Sequence, residues 1–174
     1  MGATDITTIN HEIARKFRKI EAGLSARRSA AELFEALFVG LETEFGIPFV
    51  WLSLIRLPET AGLRKSVEAS AFLRDRLNSI DKTPFLEIVP DFAAPLLVSG
   101  DLRPFFRLLP RTRKYLIRSL AVSPLTLHGT PIGSINHGDT SRSRYEPGMD
   151  TTLLTHLARN VSESLACIFP SGVR

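Results

Sequence analysis

Apolar residues recur at Ile9, Ile13, Phe17, Ile20 and Leu24, at spacings of three and four that put them on one stripe of a helix. Arg15, Lys16, Arg18, Lys19 and Glu21 fill the other faces. Such a stripe either packs on its own domain or pairs with a second copy. Two heptads are too few for a self-sufficient coiled coil, so a dimer built on this helix also needs the C-terminal helix. Residues 1–27 are read as a dimerisation helix and 28–174 as the domain that follows it.

Ser29-Ala30-Ala31-Glu32 has the form of a capping box, and Ala30, Leu33, Phe34, Leu37, Phe38, Leu41 and Phe45 give the next helix a wide apolar face ending at Gly46. Phe49 to Ile55 is apolar on both faces, which predicts a central strand covered on both sides. Pro58 to Gly62 is a turn, and Leu63 to Ile80 reads as one more helix. Asp81 to Ala94 reads as a loop anchored by Phe85, Ile88 and Phe92, followed by a short strand at Leu96-Leu97-Val98. Asp101 caps a short helix carrying Leu102, Phe105, Phe106 and Leu109, ended by Pro110.

The last third is the most regular. Leu120 to Leu127 and Ile132 to His137 predict two strands joined by a turn at His128-Gly129-Thr130-Pro131. Met149, Leu153, Leu157, Val161, Leu165 and Ile168 then mark a long amphipathic helix that covers the sheet, with Leu154 and Ala158 widening its stripe toward a partner. The four-residue turn makes Leu127 face Ile132 and Val122 face His137. Ala121, Ser123, Leu125, Ser134 and Asn136 then share one face. Buried hydroxyls and amides need hydrogen-bond partners, so Ser123, Ser134 and Asn136, with Trp51 and Ser53 from the central strand, form the candidate wall of a ligand pocket.

A chain of 174 residues with 44% hydrophobic content and 11 Phe is long and apolar enough for one domain with a sizeable core. The single cysteine, Cys167, permits no intramolecular disulfide and fits a reducing compartment. It falls near a helix C-terminus, where the dipole disfavours a thiolate, and is read as structural. No apolar run reaches the roughly 20 residues a membrane span needs, and the first six residues do not resemble a signal peptide. A cytoplasmic location is expected.

The formal charge of +4 is modest, but its distribution is not even. From Leu102 to Gly138 there is no acidic residue, while Arg103, Arg107, Arg111, Arg113, Lys114 and Arg118 crowd the first half, interleaved with Phe105, Phe106 and Tyr115. The segment is a solvated basic face, a clamp for an anionic small ligand, or a contact for nucleic acid or protein. Arg107, Arg111, Arg113 and Tyr115 are its candidate ligand residues. No Gly-x-Ser-x-Gly elbow and no phosphate-binding glycine loop occurs. His137 lies about 17 Å along the strand from the turn, at roughly 3.3 Å per residue, too far to share a metal with His128. Neither a metal nor a cofactor is expected.

The strand Leu120 to Leu125, Gly129, and Ile132-Gly133-Ser134-Ile135 resemble the closing hairpin of GAF domains. Tyr145-Glu146-Pro147-Gly148-Met149-Asp150 with Leu153-Leu154 and Leu157-Ala158 resembles the start of their last helix. Gly133 to Asp139, followed by Arg144-Tyr145 and Gly148, is further similar to the bacterial proteins called domain of unknown function 484. The resemblance implies an α/β (α+β) GAF-like fold: a central antiparallel sheet with N- and C-terminal helices on one face and irregular helices and loops on the other. It also implies a sensory or regulatory habit, with a pocket between the sheet and the middle helices. The Asn-Lys-Phe-Asp-Glu signature of cyclic-nucleotide-binding members is absent, Cys167 does not sit where a bilin pocket needs it, and members that reduce free methionine sulfoxide use several cysteines.

The resulting expectation is a non-enzymatic signal-transduction module, homodimeric and unattached to membranes, that senses a small molecule, an anionic one among the candidates. Its alternatives are a protein-interaction module with a vestigial pocket, or nucleic-acid contact through residues 103–118.

Overall fold

The computed structural model describes residues 3–110 and 113–171. Helices α1 (Ala3–Ala22) and α2 (Ala30–Phe45) lead into strand β1 (Phe49–Ile55). Two short helices, α3 (Ala61–Ala69) and α4 (Ala71–Arg74), precede β2 (Leu77–Ile80), and α5 (Lys82–Ile88) precedes β3 (Leu96–Ser99). A 3-10 segment, Arg103–Leu108, leads to β4 (Ser119–Leu127), β5 (Thr130–Asp139) and α6 (Thr152–Ile168).

The local signals act as their chemistry requires. Ser29 Oγ accepts the Glu32 N–H at 3.1 Å, while the Glu32 carboxylate accepts from Arg28 N–H at 3.2 Å, one residue before the expected partner. Gly46 closes α2 with its N–H on the Glu42 carbonyl at 2.9 Å. Asp150 Oδ1 accepts the Thr152 N–H at 2.9 Å, so α6 begins three residues after Met149.

The five strands form one sheet in the order β2-β1-β5-β4-β3. The β1–β5, β5–β4 and β4–β3 pairs are antiparallel, but β2 pairs parallel with β1, Ser53 opposite Asn78. The sheet is therefore mixed rather than wholly antiparallel. The helix expected over Leu63 to Ile80 is α3, α4 and strand β2, and the loop expected over Asp81 to Ala94 contains α5.

Each sheet face has its own core. On one side α1, α2, α3, α4 and α6 bury Phe17, Ile20, Phe34, Phe38, Leu157 and Val161 against Val50, Leu52, Leu54 and Ile135. On the other side α5 and the 3-10 segment bury Phe85, Leu102, Leu108 and Leu109 against Trp51, Ile55, Leu120 and Val122.

The hairpin register differs from expectation by one residue. The turn is the pair His128-Gly129 with φ of 50° and 80°, a two-residue geometry with both central residues left-handed. A bulge between Leu125 and Thr126 then shifts the pairing, so that Val122 faces Asn136 and Ser123 faces Ile135. One residue of slip exchanges the two faces of a strand. Ser123, Ala121 and Leu125 therefore lie on the helical side, opposite Ser134 and Asn136.

Candidate functional site

The sheet face opposite the long helices carries a connected polar row. Register places Trp51 beside Asn136 and Ser53 beside Ser134. Ser134 Oγ donates to Asn136 Oδ1 at 2.9 Å, and Asn136 Nδ2 donates to Ser53 Oγ at 2.9 Å. Ser53 Oγ donates at 3.2 Å to the Leu108 carbonyl, which also accepts the Trp51 indole N–H at 2.6 Å. From the neighbouring strand, Asn78 Nδ2 donates to Ser53 Oγ at 3.3 Å and to the Arg107 carbonyl at 2.8 Å. A face that has to satisfy buried hydroxyls and an amide does so with the chain's own backbone. The 3-10 segment is strapped over the wall, and the inner part of the expected pocket is filled by Leu108, Leu109 and Phe85.

The wall opens at its β2 end. There a cleft of about 710 Å³ is lined by Trp51 and Asn78 at its base and by Phe49, Arg56, Arg76 and Arg113 around it. Two of the guanidinium groups have acidic partners: Arg56 lies 2.8 Å from Asp81 and Arg76 lies 3.5 Å from Glu42. Both pairs are solvent-reached and therefore weak. Arg76 also stacks 4.0 Å from the Phe72 ring centre. Arg113 stacks 5.8 Å from the Phe49 ring, with no carboxylate among the described residues at ion-pair distance. A second cleft, of about 490 Å³, lies between α6 and the free end of β4. Two of its polar groups are engaged: Ser162 Oγ accepts the Thr126 N–H at 3.1 Å, and His128 Nε2 lies 2.6 Å from the Phe169 carbonyl.

Of the residues singled out from sequence, Trp51, Ser53, Ser134 and Asn136 come together, and Arg113 joins them at the mouth. Ser123 does not; it is buried on the other face with its hydroxyl unpartnered. Arg107 and Tyr115 are exposed and do not line the cleft, and Arg111 lies outside the described residues. Phe17, Ile20 and Leu24 are spent on the chain's own core, as is Ala158, with Ile13 and Leu154 packed partly against it. Phe17 meets Phe45 of α2 with ring centres 4.8 Å apart. Of the α1 stripe, Ile9 alone stays largely exposed, at 46%. Helix α1 thus contributes Phe17 and Ile20 to the same core as α2 and α6. Cys167, read as structural, is exposed.

Asn78 and Arg76 were not foreseen because β2 lies in a stretch that reads as helix, and Arg56 because a lone arginine just past β1 gives no signal of its own. The alternation Leu77-Asn78-Ser79-Ile80 was the available signal. The Leu108 carbonyl carries no signal at all, being backbone.

On the helical face, His137 is buried beside the Tyr145 ring at 6.1 Å between ring centres. Arg144 approaches both, held by Asp139 at 3.3 Å and by the Phe45 carbonyl at 2.8 Å. Burial, with the Arg144 charge second, lowers the His137 pKa from 6.5 to about 4. Burial also raises the Tyr145 phenol well above its ordinary value.

No family model matches the chain. No curated protein matches it either. Among solved structures it is similar to the free methionine-R-sulfoxide reductase from Neisseria meningitidis in complex with its substrate, at 14% identity and a TM-score of 0.59, over 88% of this chain and 87% of that one. This likeness, with the mixed five-stranded sheet, establishes a GAF-like fold. It also corrects one expectation. The chain was read as non-enzymatic, yet the neighbour is by its title an enzyme, so the fold gives no ground for setting catalysis aside.

Proposed function

We propose that this chain is a regulatory GAF-like module that takes a small anionic molecule in the cleft at the β1–β2 end of its sheet. The observation that supports the reading is Arg113, a guanidinium poised over Phe49 at the mouth of the cleft without an acidic partner among the described residues. Arg76 and Arg56 supply further donors once a ligand competes with Glu42 and Asp81, and such exposed pairs are cheap to exchange. A carboxylate or phosphate fits the fork geometry of these groups. The ligand would sit outside the strap formed by Leu108, since the wall behind it is already satisfied.

A homodimer belongs to the same reading, although Phe17, Ile20 and Leu24 are not free to form its interface. Native mass spectrometry of freshly purified protein reads subunit number and retained mass together. A discrete anionic passenger, lost in Arg113→Ala, is the expected result. Retention unchanged in that variant overturns the site. A clean protein whose melting temperature no carboxylate or phosphate shifts overturns the reading.

A further inference from the structure

The turn between the 3-10 segment and β4 presents two large apolar side chains to solvent: Tyr115 is 73% exposed and Leu116 is 56% exposed. They are not there for want of anchoring. Leu109 and Ile117, on either side of them in sequence, are both buried in the second core. The Arg113 N–H bonds to the Pro110 carbonyl at 3.3 Å and the Leu116 N–H to the Arg113 carbonyl at 3.0 Å. The Tyr115 ring meets Phe106 edge-on, 5.6 Å between centres at 87°. Lys114 holds its ammonium 5.2 Å from both of these ring centres. A pinned turn thus holds an apolar pair and a cation side by side.

Arg107 and Arg118 are exposed, and neither has a carboxylate at ion-pair distance among the described residues. Arg103 is neutralised by Asp101 at 2.9 Å, whose carboxyl the hydrogen bonds from Arg103 hold down at about 2. Single exposed hydrophobes are ordinary on a protein surface; a Tyr-Leu pair beside Lys114 and flanked in sequence by the uncompensated Arg107 and Arg118 is not.

We propose that this turn is a docking surface for an acidic amphipathic segment of a partner protein. Carboxylates of the partner meet Lys114, Arg118 and Arg107, and an apolar residue between them covers Leu116 and Tyr115. Single-stranded nucleic acid would stack on Tyr115 and track the cations, but it would leave Leu116 uncovered. A bilayer would reward the apolar pair, but two side chains at one turn give it little area to hold. The surface uses other side chains than the ligand cleft: Arg113 of this turn lines the cleft, but Lys114, Tyr115, Leu116 and Arg118 do not.

The test is fluorescence anisotropy with the full chain and a labelled peptide alternating Glu with Leu and Phe. A Lys-for-Glu version of the peptide, an oligothymidine and phosphatidylserine vesicles serve as competitors. Saturable binding of the acidic peptide is expected, weakened by raised salt and by about tenfold or more in Tyr115→Ser/Leu116→Ser and in Lys114→Glu/Arg118→Glu. Tyr115, Leu116 and Arg118 are exposed and Lys114 is half-buried, and circular dichroism checks that the variants keep the fold. No binding, binding untouched by both double variants, or stronger binding of the oligonucleotide or the vesicles overturns the proposal.

Discussion

Lowering the pH from about 7.5 to about 5 is expected to destabilise this fold through His137. The imidazole is buried on β5 beneath Tyr145 and next to the Arg144–Asp139 pair, and its Nε2 has no hydrogen-bond partner. Its pKa falls from 6.5 to about 4 in the folded chain, chiefly because burial penalises the charged ring. Between those two values the unfolded chain binds the proton and the folded chain refuses it. The unfolded state therefore binds more protons, so stability falls as pH falls. Integrating the two titrations gives a loss of about 2 kcal/mol at pH 5, and about 3 kcal/mol once both states are protonated. For a chain of this size 2 kcal/mol is roughly 4–8 °C in melting temperature. Urea unfolding followed by circular dichroism across this range, on the wild type and on His137→Leu, isolates the effect, because carboxylate titrations common to both chains cancel in the difference. Parallel pH profiles for the two would refute the reasoning, whatever their absolute stabilities.

Three further outcomes are expected. Gly133→Ala places a methyl carbon 2.0 Å from the Ser53 carbonyl oxygen and 3.0 Å from the Leu54 Cα, both backbone of β1. Because neither can move without opening the β1–β5 ladder, the loss should exceed about 3 kcal/mol in chemical denaturation, and an unchanged midpoint would contradict that contact. Asn136→Ala strands the Ser134 hydroxyl and removes one of the three hydrogen bonds at Ser53 Oγ, and should cost about 1–3 kcal/mol, whereas Ser123→Ala removes a buried hydroxyl that has no partner and should be neutral or stabilising; the two midpoints moving alike would count against the register described above. Ser29→Ala removes the α2 cap and should lower stability by about 1 kcal/mol, with Ser29→Asp recovering most of it in the same denaturation assay.

The long amphipathic elements were legible from residue pattern because their burial is one-sided and periodic: α1, α2 and α6 each carry an unbroken apolar stripe. Strand β1, apolar on both faces, was legible for the opposite reason, being covered from both sides. What escaped the pattern is local. Strand β2 has four residues, too few for alternation to stand out beside two short helices. The hairpin slipped because His128, a non-glycine residue, adopts positive φ and lets the turn close in two residues instead of four, and the bulge then gives one of those two residues back. That single residue moved Ser123 off the wall while leaving Ser134, Asn136, Trp51 and Ser53 on it. Arg113 reached the cleft, but Arg107, Lys114 and Arg118 did not, since clustering in sequence says nothing about which side chains a turn throws outward. Phe17, Ile20 and Leu24 illustrate a related ambiguity, because an apolar stripe identifies a buried face without identifying what buries it.

The double acceptance at the Leu108 carbonyl has a spectroscopic consequence. Trp51 is the chain's one tryptophan, and it contacts both the strap and the cleft. Its emission is therefore a site-specific signal without any label. While the 3-10 segment is seated, the indole is dry and its N–H engaged, which favours short-wavelength emission. Lifting the segment would wet the ring and shift the spectrum to the red, while a molecule settling in the cleft would change intensity with the strap still in place. One fluorophore can thus separate occupancy of the site from opening of the lining beneath it.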